Sequence, residues 1–151
     1  MYVEVDQSIR IDDTRKASIF AFSNDIKKAI LISAKVKREC LVLLREQGRR
    51  GATIYVDLFS ASLWLLLCND LAELSQIVID TEFSGERQQA KIKARLLRYA
   101  REAGITLHRD QITFQRVTKE SPAHALAHAV HQQRIRPDRR VRTGELLALV
   151  K

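Results

Sequence analysis

The 151 residues are 46% apolar and 29% charged, with only two prolines and five glycines, a balance that excludes a wholly disordered chain and suits one domain burying roughly two thirds of its unfolded surface. The net charge of +8 is uneven: residues 1–75 hold 11 Lys or Arg against 10 Asp or Glu, whereas residues 76–151 hold 15 against 8. Such a field attracts polyanions, nucleic acid foremost, although an anionic membrane or an acidic protein would also satisfy it.

No charged segment followed by an apolar run opens the chain, so no signal peptide is expected. The longest apolar run, Leu58–Cys68, contains two serines and has about half the length of a membrane span. Cys40 and Cys68 lie in apolar helical patterns without CxxC spacing. They read as reduced thiols packed as small hydrophobes, and the expected location is cytoplasmic.

In chain order, residues 2–11 alternate Val3 and Val5 with Glu4 and Asp6, the period-two mark of a strand. Asp12, Asp13 and Thr14 make a turn, residues 17–22 form a second strand, and Ser23, Asn24 and Asp25 turn again into a third at residues 29–34. A meander is the expected result. Val36, Cys40, Leu43 and Leu44 then set a helical stripe over residues 35–47, closed at Gly48–Gly51. Residues 54–74 follow, apolar on most of their circumference, so this helix is expected to be buried on several sides. Asp57 lies near its start, where it either complements the helix dipole or serves as a functional carboxylate.

The stretch Gln76–Gly85, QIVIDTEFSG, reads as a short buried strand running into Asp80, Thr81 and Glu82. A carboxylate there needs a partner, because a buried acid costs free energy unless it is paired, hydrogen-bonded or bound to metal. An amphipathic helix over residues 86–102 follows, with Ala90, Ile92, Leu96, Leu97 and Ala100 inward. Lys91, Arg95 and Arg98 on its basic face are candidate phosphate contacts. Gln111–Val117 alternates as a fifth strand. Ser121 and Pro122 open a last long helix, as N-cap and first-turn proline.

His124, His128 and His131 stand at i, i+4 and i+7 of that helix and share a face. Three uses stay open: an all-histidine metal site, a polar or phosphate-facing stripe, or His124 alone reaching the acids. Residues 134–142 then hold five arginines. Arg134, Arg136, Arg139 and Arg140 are the densest local candidates for phosphate contact. Thr143 caps a closing helix whose Leu146, Leu147 and Val150 form an apolar edge for the body or another chain.

This order, with Asp6 in the first strand and Asp80 ending the fourth, resembles the ribonuclease H-like fold of ribonucleases H, Holliday-junction resolvases and transposase catalytic domains. The resemblance covers about residues 2–133. It implies an α/β domain with a five-stranded mixed sheet, a three-strand antiparallel meander plus two parallel strands, and flanking helices. Residues 134–151 would be a basic tail with a short helix. It also implies that the first and fourth strands are parallel neighbours whose acids, Asp6 and Asp80, hold Mg²⁺ or Mn²⁺ together.

Asp57 corresponds to a metal-binding Glu early in the first core helix of ribonuclease H, Glu82 is the reserve ligand, and His124 occupies the position of a final-helix acid, similar to resolvase relatives with a His there. Two features differ from the family: an extra helix at residues 35–47 and the missing final carboxylate. The expected function is divalent-metal-dependent hydrolysis of phosphodiester bonds in structured or hybrid nucleic acid, DNA or RNA. The alternative is an inactive ribonuclease H-like module that binds nucleic acid or protein. No membrane partner is expected, and a second copy of the chain remains among the partners.

Overall fold

The computed structural model describes residues 1–81 and 85–150. Its elements are β1 (Tyr2–Ser8), β2 (Ser18–Ser23), β3 (Lys27–Ile32), α1 (Ala34–Glu46), α2 (Thr53–Leu67), β4 (Gln76–Asp80), α3 (Glu86–Glu102), β5 (Ile112–Gln115), α4 (Pro122–His131), β6 (Arg139–Arg140) and α5 (Thr143–Leu149). The fold is α/β, with a mixed six-stranded sheet in the order β5-β4-β1-β2-β3-β6. The pairs β1–β2 and β2–β3 are antiparallel, while β1–β4, β4–β5 and β3–β6 are parallel.

Side-chain alternation divides the sheet into two unequal faces. Val3, Val5, Phe20, Phe22, Ile77 and Ile79 join the large core with α2 and α3. The intervening residues Ile19, Ala21 and Ala29 meet Ala127 and Val130 of α4 in a much smaller cluster. Small residues there let α4 lie close to the sheet. The helix α2 is apolar nearly all round because it is held between the sheet and α3: Phe59 meets Phe20 edge-on at 5.5 Å, and Trp64 lies 5.9 Å from Tyr99 of α3.

Two expectations need correction. The first strand stops at Ser8, because Ile9 takes a left-handed φ of 65° and the chain turns. Ser18 Oγ closes that turn by donating to the Ile9 carbonyl at 2.8 Å. Among the described residues the sheet has six strands and not five. The basic tail with its short helix packs on the body. Asp138 docks on Ala29, its backbone N–H donating to the Ala29 carbonyl at 2.8 Å and its Oδ2 accepting from the Ala29 N–H at 2.7 Å. Val141, Leu146 and Val150 are buried in the main core, so the closing helix packs on its own body.

Candidate functional site

The register of the central parallel pair sets Val5 against Ile79. The next residue of each strand is an acid, so Asp6 and Asp80 leave neighbouring strand ends on the same face, the one covered by α4. Each is only 4% exposed. The carboxyl ends of parallel strands are where open α/β sheets usually bind ligands.

His124 reaches this pair because of how α4 begins. Ser121 caps the helix, its Oγ accepting from the Ala123 N–H at 3.2 Å, and Pro122 pre-sets the first turn. His124 therefore sits in the first turn, with Nδ1 2.8 Å from Asp6 Oδ2. Asp80 Oδ1 accepts the Val117 N–H at 2.9 Å, which ties the segment after β5 to the end of β4. Asp6, Asp80 and His124 line one cavity of about 540 Å³ together with Gln7, Thr81, Arg116, Val117 and Lys119.

Burial raises the Asp6 carboxyl to a pKa of about 6; the His124 hydrogen bond pulls it down, and the neighbouring Asp80 charge pushes it up. Two buried acids side by side disfavour each other's ionised form. Gln7 adds an unmet demand, since it is buried and among the described residues neither its amide oxygen nor its nitrogen has a hydrogen-bond partner. An unpaired buried amide is costly. Pattern reading passed over Gln7, Arg116 and Lys119; a polar residue directly following the acid of a buried strand was the one available signal.

Asp57 does not join the pair. The helix α2 starts at Thr53, so Asp57 falls in its second turn, too far in for the dipole role. It turns toward α3 instead, where Oδ1 accepts from Arg95 Nε at 2.5 Å and Oδ2 from Arg49 Nη1 at 3.1 Å. Two arginines on a buried carboxylate make a structural ion-pair group, and the metal-ligand expectation for Asp57 is withdrawn. Glu82 lies outside the described residues. His128 stacks on His124 with ring centroids 6.2 Å apart, and among the described residues no group of three or more His, Cys, Asp or Glu could hold a metal ion.

The expected phosphate contacts separate into two places. Lys91, Arg95 and Arg98 stand on α3, away from the acids, with Arg95 engaged by Asp57. Arg134, Arg136, Arg139 and Arg140 lie beyond α4. Of these, Arg139 is paired with Glu145 and Arg134 donates to Gln132. Arg136 and Arg140 are exposed and line a groove of about 630 Å³ with Lys16 and His131. No helix is long and apolar enough to cross a membrane among the described residues. No protein-family model, no curated protein and no solved structure matches the chain.

Proposed function

We propose that this chain is a ribonuclease H-like, divalent-metal-dependent nuclease that hydrolyses phosphodiester bonds in structured or hybrid nucleic acid, with Asp6, Asp80 and His124 as its working residues. The observation that carries the reading is the juxtaposition of two buried acids at adjacent parallel strand ends with a histidine bonded to one of them. The strand order β5-β4-β1-β2-β3, with its meander and parallel pair, supports the family likeness.

The donor set fits Mg²⁺ or Mn²⁺. Hard cations of this size take carboxylate oxygens, and Mg²⁺ keeps several waters and is usually held by one or two carboxylates plus substrate phosphate oxygens, not by an all-protein cage. Asp6 and Asp80 are the residues that would hold it. When bound, such an ion supplies charge neutralisation and activation of water in phosphodiester hydrolysis. The protein's own contribution is orientation and proton transfer. With its Nδ1 engaged by Asp6, the His124 ring has Nε2 left to hold or pass a proton at the cavity. Arg116 and Lys119 line the same cavity and offer cations to the phosphates flanking the reacting one.

Inactivity combined with binding is the second reading, and one observation favours it: the side chain that α4 brings to Asp6 is a histidine and not a carboxylate. Incubating the protein with Mn²⁺ and a panel of RNA–DNA hybrids, junctions and flaps separates the two readings. The nuclease reading expects cleavage by the wild type and none by Asp6→Asn. It also expects Mn²⁺ to raise the melting temperature, and Asp80→Asn to abolish the rise. An unshifted wild-type melt together with intact substrates would leave only the binding module.

A further inference from the structure

A second cavity, of about 430 Å³, opens on the other side of the sheet. Its walls come from the α1–α2 connection (Arg49, Arg50), α2 (Thr53, Asp57), α3 (Arg95, Arg98, Tyr99) and the end of α5 at Val150. Four guanidinium groups face one carboxylate. Asp57 is used in holding Arg49 and Arg95 in place, and Glu102, outside the cleft, stands 3.9 Å from Arg98 Nε, so two carboxylates balance two of the four charges. Beside them Tyr99 is 3% exposed, and among the described residues its hydroxyl has no hydrogen-bond partner. A buried hydroxyl without a partner costs free energy, and buried Tyr hydroxyls usually find one. The Arg98 guanidinium carbon lies 5.3 Å from the Tyr99 ring centroid, so that side chain is packed along the aromatic face at the cavity wall.

We propose that this cleft is a binding site for a phosphate-bearing small molecule of up to nucleotide size, held by Arg49, Arg50, Arg95 and Arg98 and receiving a hydrogen bond from the Tyr99 hydroxyl. The excess of two positive charges selects the ligand class. A carboxylate would leave one of them uncompensated, whereas a phosphate monoester or diphosphate matches both the charge and the forked donor geometry of arginine. The volume lies within the range of small-molecule sites and is larger than a lone inorganic ion needs. Neither Asp6 nor Asp80 takes part, so the site stands or falls independently of the nuclease reading.

Isothermal titration calorimetry of the full chain in low salt and EDTA, with inorganic pyrophosphate and with ADP as probes, tests the site. Sub-millimolar binding is expected for the wild type. Tyr99→Phe should weaken it by about tenfold, the value of one hydrogen bond to a charged group, while leaving the melting temperature unchanged or higher, because a partnerless hydroxyl has been removed. Arg98→Gln should weaken it at least as much, and Arg109→Gln, exposed and outside the cleft, should bind like wild type. A 5′-phosphorylated dinucleotide against its 5′-hydroxyl form distinguishes the sources. Preference for the phosphorylated form with weak ADP binding assigns the terminal phosphate of a strand, and the reverse assigns the free nucleotide. Absence of binding by every probe, or equal affinities for wild type, Tyr99→Phe and Arg98→Gln, overturns the proposal.

Discussion

Asp6 carries two burdens at once, since its carboxylate is buried and its neighbour Asp80 has the same charge. Its folded-state pKa of about 6 is raised from 3.8, so stability from the protonated form is complete below the lower value and lost as pH rises through the higher one. At pH 7.5 the ionised Asp6 therefore costs stability, on the order of 3 kcal/mol from the size of that shift. Asp6→Asn in EDTA should melt higher than wild type at pH 7.5 and near it at pH 4, by calorimetry at the two pH values. Equal melting at both would show that the cavity solvates the charge. Such a gain in stability with loss of the proposed activity is the usual exchange at a functional site. Both acids were legible in the sequence, because period-two alternation sets Asp6 against Val3 and Val5 and ends an Ile-Val-Ile run at Asp80. Asp57 was not. Which way a helical acid turns depends on Arg95, 38 positions away, and no local pattern encodes that.

At the scale of elements, the loop joining β1 to β2 is held by a lysine from α1. Lys37 is 1% exposed, and its Nζ donates to the Asp13 carbonyl at 2.5 Å and to Ser18 Oγ at 2.9 Å. The helical stripe of Val36, Cys40, Leu43 and Leu44 leaves Lys37 outside the apolar face. The element was right and the face wrong, because a long stem can bury its charge where a turn offers carbonyls. Burial lowers its pKa from 10.5 to about 8. Between those values the unfolded chain binds more protons than the folded one, so stability rises with pH across that window. Relative to Lys37→Met, the wild type should gain on the order of 2 kcal/mol between pH 7.5 and 10.5, measured by urea unfolding. A constant difference would mean the amine stays charged when folded. The strand β6 was illegible for a related reason: two arginines between Asp138 and Val141 have no strand signature, and the pairing depends on Asp138 meeting Ala29, 109 positions away.

At the scale of the whole molecule, the two sheet faces divide the positive charge into separate tasks. The cations of α3 stand with α2 and the large core, whereas the acid cavity and the groove holding Lys16, Arg136 and Arg140 are both lined by residues of α4. His124 marks one cavity and His131 the other. Their separation of seven positions in one helix is about 10 Å along its axis, or roughly three base-pair steps of duplex. A strand entering the acid cavity would therefore reach the groove within a few nucleotides, while the α3 cations would face away from it. This geometry predicts an unequal salt response. Each phosphate contact removed lowers the slope of log K against log salt by about 0.9 for duplex. Arg136→Gln combined with Arg140→Gln should reduce the slope by nearly 2 in fluorescence anisotropy titrations with a hybrid duplex between about 50 and 200 mM salt, and Lys91→Gln should leave it unchanged. A slope that responds to Lys91 and ignores Arg136 and Arg140 would put the nucleic acid on the α3 side, remote from Asp6, and binding there could not deliver a phosphodiester to the proposed catalytic residues.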